Sequence, residues 1–298
     1  TLVLLSFLMM SFTGSGMRLH PLRYELTRLD GGQEERSAIM IQRMSCNPMP
    51  VWTLDYLGTA YRERAEVLGH WWITYNSLTT QATRTLRLDG PGGRHALLPA
   101  VSCIDPREAR LLGMDRLAGD DGMATFAASR DAILISSSVA ERIAAKQGDR
   151  VEMLGSPFTV AGIMDDRGML SLTGLNGRAY APLDYSRYLQ WDPDPTLLQS
   201  KLDLIDSADS TADLTGSARS EPYHGISPDQ FAIIRADRAV ELGGSLRSVV
   251  IVPHDPRDTM ALADDVAVSF RQPVYANADG KVVLCAMAEL TTLQGFSS

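Results

Sequence analysis

Cysteine is scarce in this chain, and basic residues do not gather anywhere along it. The three cysteines, Cys46, Cys103 and Cys285, lie far apart and form neither a CxxC pair nor a zinc-ligand spacing. We expect them to be small buried apolar residues, although one disulfide with a leftover thiol stays open outside the cytosol. The net charge is −8 and the pI about 5.2, which argues against a nucleic-acid-binding protein.

The chain also lacks an apolar run long enough to cross a bilayer. The run Thr1–Phe12 is nearly unbroken, but at about 1.5 Å per helical residue it is too short for a hydrocarbon core of about 30 Å. It has no basic start of the kind that signal peptides carry. Two interpretations stay open for this run: the stub of a membrane helix, or a buried first strand or helix of the domain.

Signatures of catalysis and of cofactor binding are missing as well. There is no GxxxxGK[ST] phosphate loop and no GxSxG elbow, and the glycines of Gly90–Gly93 lack the strand-to-helix context of a dinucleotide fingerprint. Ser136–Ser138 are better explained as a helix cap than as a nucleophile. No histidine pairs with a second histidine or a cysteine at metal spacing. The histidines are His20, His70, His95, His224 and His254. The sequence therefore predicts no catalytic residue, no cofactor and no metal site.

What the chain does contain is an alternation of strand and helix patterns. Ser37–Met44 is typical of a strand, Thr53–Leu68 has helical spacing, and the aromatic and β-branched segment His70–Tyr75 predicts a second strand. Together they predict a βαβ unit. The expected apolar face of its helix comprises Leu54, Leu57, Tyr61, Ala65 and Leu68. Arg84–Ile104 follows as a hairpin around DGPGG, and Asp105–Met114 as a short helix.

The segment Asp131–Met153 predicts a strand, a capped helix, a tight turn and a second strand. Ser138 and Glu141 have the spacing of a capping box, and Gly148 stands where the backbone leaves the helix in a left-handed conformation. Phe158–Asp166 then returns as a strand. This segment contains no candidate catalytic residue, so we expect it to be a rigid connector.

The last third of the chain predicts a second βαβ unit beyond a polar insertion. Asp192–Tyr223 is rich in Asp, Ser, Thr and Pro, which indicates an inserted loop or linker. Arg247–Pro253 predicts a strand and Pro256–Phe270 a helix. Pro273–Met287 predicts the closing strand and a hairpin turned by Asp279-Gly280. The helix's expected apolar stripe is Met260, Ala263, Val266, Ala267 and Phe270.

Two pairs of residues are candidates for a functional role. Asp165 and Asp166 would form a catalytic pair only if one carboxyl lay in an apolar pocket with a raised pKa, and a solvated turn is the favoured interpretation. Trp71 and Trp72 are candidate partner contacts. Alternation along a strand places one of them in the core and the other on the opposite face.

Val101–Leu189 resembles the extracytoplasmic core domain of FtsX-like and MacB-like ABC transporter permeases. The resemblance is carried by the phrases VSCIDPREARLLGM, DAILISSSVAERIAAKQGDRVEM, SPFTVAGIMDD and AYAPLDY, in that order and at similar spacing. The two βαβ segments resemble the first and last units of that family, which extends the likeness over most of Ser37–Lys281. The family typically lacks the long insertion, so its partner surfaces do not transfer to this chain.

The resemblance implies an α+β fold with two βαβ (porter-like) units flanking a smaller β-rich subdomain. The expected division is an N-terminal segment (1–36), a porter-like part (37–80 and 245–287), a β-rich subdomain (81–190), and an insertion with its connecting strand (191–244). It also implies an extracytoplasmic, periplasmic position at the cell membrane and a non-enzymatic role in transmitting ATP-driven motion. The implied partners are the membrane, through flanking transmembrane helices, a separate ATPase subunit or domain, an envelope protein or lipid cargo, and a second copy in a homodimer.

Two other functions stay open from the sequence alone. One is a soluble binding protein for a small molecule or peptide. The other is a hydrolase that uses Asp165 and Asp166, which would require their side chains to converge in an apolar cleft with His224 or His254.

Overall fold

A computed structural model describes residues 22–29, 37–43, 48–74, 85–175, 180–184, 225–271, 275–278, 281–284 and 288–294. The strands of these residues are β1 (Leu22–Leu29), β2 (Ala38–Arg43), β3 (Ala65–Thr74), β4 (Leu86–Asp89), β5 (His95–Leu98), β6 (Ala100–Ile104), β7 (Ala132–Ser136), β8 (Arg150–Met153), β9 (Ser156–Met164), β10 (Phe231–Arg235), β11 (Ser245–Pro253), β12 (Tyr275–Ala278), β13 (Lys281–Leu284) and β14 (Ala288–Gln294). The α-helices are α1 (Val51–Tyr61), α2 (Pro106–Leu111), α3 (Asp115–Ala128), α4 (Ser137–Ile143), α5 (Asp166–Ser171) and α6 (Thr259–Arg271).

Twelve of the strands form one mixed sheet in the order β14-β1-β2-β11-β3-β6-β10-β7-β9-β8-β4-β5. The first predicted βαβ unit is β2–α1–β3, and β11 lies between its two strands, antiparallel to both. The helix ends at Tyr61, and Ala65 already begins the strand, so the predicted helix Thr53–Leu68 was too long. Leu57 and Tyr61 are buried as predicted, whereas Ala65 and Leu68 lie on β3.

The second predicted βαβ unit is completed by a strand that the sequence analysis missed. After β11 and α6, the chain pairs β14 in parallel with β1, which itself is antiparallel to β2. The segment predicted to close this unit forms the separate hairpin β12–β13, a two-stranded sheet of its own. Strand β1 was also not predicted from the sequence. The α+β class with two βαβ units around a β-rich part is nevertheless confirmed.

The β-rich part closes on itself. Strands β5 and β6 stand far apart in the sheet order, yet only Pro99 separates them in the chain, so they act as one bent strand. Through this strand, β6-β10-β7-β9-β8-β4-β5 forms a closed ring. The predicted hairpin around DGPGG is confirmed by the pairing of β4 with β5. Gly90 at its turn has no room for a side chain, because a Cβ would stand 2.4 Å from the carbonyl oxygen of Ile143.

The segment around α4 follows its prediction closely, with a shift at the cap. The helix starts two residues earlier than the capping box predicted: Ser136, rather than Ser138, accepts the N–H of Val139 at 3.2 Å. The prediction that the helix ends at Gly148 was wrong, because the helix ends at Ile143 and Ala144 takes the left-handed conformation with φ 54°. Gly148, with φ +88°, lies in the turn before β8. Helix α3, which packs on β7 and β9, was not predicted.

The two faces of the sheet are packed differently. One face carries a single apolar cluster that extends from β2 and β11 into the ring. Helices α1, α4 and α6 contribute buried side chains to this cluster. The opposite face carries two clusters. One lies over the ring and includes residues of α2, α3 and α5; the other lies over β2, β3 and β11. The apolar stripe predicted for α6 is partly wrong, because Met260 is exposed and Leu262 is buried.

Candidate functional site

A buried polar network occupies the face that carries two apolar clusters. Its centre is His70 on β3, whose Nδ1 lies 2.7 Å from Oε1 of Glu108 on α2. The indole N–H of Trp72 donates to His70 Nε2 at 3.1 Å, and Ser102 Oγ on β6 lies 3.1 Å from the same nitrogen. Tyr180 OH contacts Ser102 Oγ at 2.6 Å. We call these five residues the His70 network.

Strand alternation explains why these side chains meet. His70 and Trp72 are two residues apart on β3, so they share a face, while Trp71 points to the other. Trp72 is the direct cross-strand partner of Ser102 on β6. We call the pairing of β3 with β6 the seam, because β3 belongs to the first βαβ unit and β6 to the ring.

The donors and acceptors of the network determine the state of His70. An indole N–H only donates, so His70 Nε2 must accept, and the ring proton therefore resides on Nδ1. Nδ1–H then donates to Glu108 Oε1, and Ser102 O–H donates to the Nε2 that Trp72 also uses. Ser102 Oγ and Tyr180 OH lie 2.6 Å apart, so one of these two hydroxyls donates to the other. The result is a continuous chain of buried hydrogen bonds from Glu108 to Tyr180, and the bonds of such a chain polarise one another.

Ser102, His70 and Glu108 have the connectivity of a catalytic triad but not its accessibility. Ser102 is 0% exposed and Glu108 3% exposed, and the Nε2 of His70 already accepts from Trp72. A nucleophile must reach its substrate, and a general base must take the nucleophile's proton with a free lone pair. The arrangement therefore joins β3, β6, α2 and the segment 180–184, and it offers a substrate no approach to Ser102 Oγ.

The candidate pair Asp165 and Asp166 caps two helices. Asp165 accepts the N–H of Gly168 at 3.0 Å and so caps α5. Asp166 accepts the hydroxyl of Ser137 at 2.9 Å, and the N–H and hydroxyl of Ser138, at the start of α4.

The pKa of Asp166 is shifted away from the value that an acid catalyst would need. Partial burial raises it, but the hydrogen bonds from Ser138 and Ser137 outweigh burial, and the pKa lies below its ordinary value. A catalytic acid of such a pair requires the opposite shift. His254 lies elsewhere, against the carbonyl oxygen of Glu63, and His224 is outside the described residues.

The two tryptophans divide between the faces as alternation predicted. Trp71 is 4% exposed and belongs to the continuous apolar cluster. Trp72 is half-buried, with the guanidinium of Arg247 5.1 Å from its ring centre. A partner could thus reach Trp72 far more readily than Trp71. Contact with a partner stays a prediction for both.

The remaining candidates show no reactive or metal-binding chemistry. Cys103 is a buried free cysteine, as expected, and burial raises the pKa of its thiol well above the ordinary value. Cys46 and Cys285 lie outside the described residues. Among the residues that the structure describes, no three His, Cys, Asp or Glu side chains come together as a metal site. Within the same residues, no helix is both long and apolar enough to span a bilayer, and Thr1–Phe12 lies outside them.

The His70 network was not anticipated from the sequence. Histidine and tryptophan two residues apart in a predicted strand were the available signal, because their N–H and N atoms share one face. Ser102, Glu108 and Tyr180 carried no such signal, since only the pairing of β3 with β6 brings them to His70.

Comparison with known proteins identifies one family. Residues 74–220 match the family model of the MacB-like periplasmic core domain. Two solved structures are similar. The periplasmic region of MacB from Actinobacillus actinomycetemcomitans has 8% identity and a TM-score of 0.37, with 74% of this chain and 73% of that chain covered. A permease domain from Porphyromonas gingivalis has 11% identity and a TM-score of 0.36, with 72% and 73% covered. The chain matches no curated protein.

The matched segment contains the strands β4 to β9 and three of the five residues of the His70 network. It overlaps the phrases on which the resemblance was based. Over residues 74–220, just under half of its length, this chain is therefore similar to the MacB-like periplasmic core domain.

Proposed function

We propose that this chain is a non-catalytic extracytoplasmic domain that transmits ATP-driven motion of a permease to an envelope partner or cargo. The family match supports the permease assignment. The chemistry of the described residues is consistent with it, because the polar groups that could react are either buried together or engaged as helix caps.

One observation carries the mechanical part of the proposal: the bent strand formed by β5 and β6 belongs to both parts of the fold. Its β6 half pairs with β3, and its β5 half pairs with β4. Strand β3 is also paired with β11 of the βαβ units, and β4 with β8 of the ring. A displacement of the βαβ units therefore moves a strand that continues into the ring.

The packing supports the same proposal. The continuous apolar cluster contains residues of both βαβ units and of the ring, and close-packed interiors have low compressibility and transmit strain. Two parts that share strands and a core should move as one lever. We propose that the porter-like part (37–80 and 245–287) receives the motion and that the β-rich subdomain (81–190) delivers it.

The partners that follow are proposals as well. Flanking transmembrane helices would anchor the domain on the extracytoplasmic side of the cell membrane, and a separate ATPase subunit or domain would move them. An envelope protein or a lipid would be the target, and the permease would act as a homodimer.

The test uses the full permease with its ATPase in a bilayer. Spin labels at Asp55→Cys on α1 and Glu152→Cys on β8, both exposed, measure the distance between the two parts. Cys46 and Cys285 are replaced by serine, and the buried Cys103 is kept. In the same preparation, energy transfer from a dye at Glu152→Cys to acceptor lipids measures the distance of the domain from the membrane.

We expect the Asp55–Glu152 distance to be the same without nucleotide and with trapped ATP, while energy transfer to the lipids changes. If neither the Asp55–Glu152 distance nor the distance to the lipids changes, the domain transmits no motion. If only the Asp55–Glu152 distance changes, the two parts do not move together as a lever. Either outcome contradicts the proposal. If the gene encodes no transmembrane helix before Thr1 or beyond Ser298 and has no neighbouring ATPase, the alternative of a soluble binding protein is favoured instead.

A further inference from the structure

Two segments distant in the chain meet at one point of the fold. Leu183 forms an antiparallel bridge with Gly225, and the N–H of Ile226 donates to the carbonyl oxygen of Pro182 at 2.8 Å. Leu183 is 2% exposed and Ile226 4% exposed, so this junction lies in the protein interior. We call the residues Pro182, Leu183, Gly225 and Ile226 the neck.

The neck begins two residues after a member of the His70 network. The N–H of Tyr180 donates to the carbonyl oxygen of Leu172 at 2.8 Å, which holds the backbone ahead of the neck. Its hydroxyl lies 2.6 Å from Ser102 Oγ, and its ring centre 5.6 Å from that of His70. Tyr180 is 7% exposed. The neck is thus connected to the seam by a short chain of buried, directional contacts.

The network lies beside the apolar cluster over the ring. That cluster contains Tyr180 and Ile226, and it is joined to the cluster over β2, β3 and β11 through the partly buried Leu112, which packs against both. A buried hydrogen bond that loses its partner leaves a polar group unsatisfied. The His70 network therefore adds a directional resistance to movement of the neck relative to β3 and β6, beside that of the apolar contacts.

We infer that the His70 network is a latch that couples the position of the neck to the seam. While Tyr180, Ser102, His70 and Glu108 stay bonded, the neck and the β3–β6 pairing form one unit. When one bond of the chain is removed, both the neck and the seam open more often. In the proposed lever, this latch would link movement of the neck to the junction of the two parts. The inference deepens the proposed function, but its test needs neither the ATPase nor the membrane.

The first experiment measures amide hydrogen exchange in the full 298-residue chain. Tyr180→Phe removes one hydroxyl from the latch. We expect exchange to become about threefold to tenfold faster both at the neck and at the amides of the β3–β6 pairing, which corresponds to the loss of one hydrogen bond. Exchange between β7 and β9 should not change, which separates the effect from global unfolding.

The matched control is Tyr61→Phe. The Tyr61 hydroxyl lies 2.9 Å from Ser269 Oγ on α6, on the opposite face of the sheet. We expect this variant to leave exchange at the neck and at the seam unchanged. Ser102→Ala breaks the latch from its other side and should reproduce the effect of Tyr180→Phe if that variant folds poorly. Faster exchange at the neck without any change at the seam would overturn the inference.

A double-mutant cycle tests the transmission itself. Tyr180 and Glu108 stand at opposite ends of the chain of hydrogen bonds, with Ser102 and His70 between them. Each single variant, Tyr180→Phe or Glu108→Gln, should change the unfolding equilibrium constant by some factor. If the latch acts as a unit, the factor for the double variant should be at least about twofold smaller than the product of the two single factors. Effects that multiply without coupling would show that each residue acts locally, and would overturn the inference. That result would leave the permease assignment untouched.

Discussion

The two faces of the large sheet are held by different forces. On one face, a single apolar cluster passes from the βαβ units into the ring without interruption. On the other, two smaller apolar clusters are joined through the partly buried Leu112, and the His70 network lies beside the β3–β6 pairing. Hydrophobic burial is non-directional and scales with area, whereas hydrogen bonds depend on distance and angle. The first face should therefore supply most of the stability, and the second should define how the two parts are set against each other.

The largest expected effect comes from a cavity in the continuous cluster. Phe158 on β9 is 1% exposed there, so Phe158→Ala should lower the free energy of unfolding by about 3–5 kcal/mol. Urea denaturation followed by circular dichroism measures this. The control is Leu170→Ala on α5, whose side chain is 64% exposed and should contribute within about 0.5 kcal/mol. A loss below about 1 kcal/mol for Phe158→Ala would mean that this face does not dominate stability.

A smaller effect is expected on the face with the polar network. Glu108→Ala leaves the Nδ1–H of His70 without its acceptor, which should cost about 1.5–3 kcal/mol. Glu108→Gln keeps an acceptor oxygen and should cost less in the same denaturation experiment. The difference between the two variants isolates the hydrogen bond from the packing of the side chain. Equal losses for alanine and glutamine would argue that geometry at His70 does not matter.

The smallest effect concerns Asp166, whose carboxylate joins a helix of one face to a helix of the other. Asp166→Asn keeps one acceptor oxygen but removes the charge, and hydrogen bonds to charged acceptors are the stronger ones, so it should lower the free energy of unfolding by about 1 kcal/mol or less at neutral pH. The pKa of Asp166 in the folded protein lies below its ordinary value of 3.8. The stabilisation that its carboxylate provides is therefore fully present above pH 3.8.

The same contribution should be lost as the pH falls through the lower folded-state pKa of Asp166. The gap in stability between the native chain and Asp166→Asn should therefore narrow below about pH 3.8 and stay constant above it. Denaturation of both proteins across this pH range provides the check. A gap that widens toward acid would mean that the pKa is raised, which would revive the catalytic interpretation of Asp165 and Asp166.

The sequence predicted local elements well where their signals were local. Strand β7, helix α4 and strand β8 follow from alternation, cap residues and Gly148, and the hairpin of β4 and β5 from its glycine-rich turn. The predicted boundary between α1 and β3 was wrong: the helix ends at Tyr61 and the strand begins at Ala65. Both segments are apolar, and only pairing with β11 decides which residues join the sheet. Strand β1 was not predicted, because its place in the sheet is set by its pairing with β2 and β14 and not by its own composition.

The difference between what the sequence determines and what only the tertiary structure determines is clearest at the His70 network. Residue order alone determined that Trp71 and Trp72 face opposite sides, that the helix of Ser137–Ile143 would be capped, and that part of the chain resembles a MacB-like domain. Only the tertiary structure decided that Glu108, Ser102 and Tyr180 meet His70, and that Asp165 and Asp166 cap helices. The physical reason is that turns and caps are made between residues a few positions apart, whereas these contacts depend on strand pairings that no local pattern records.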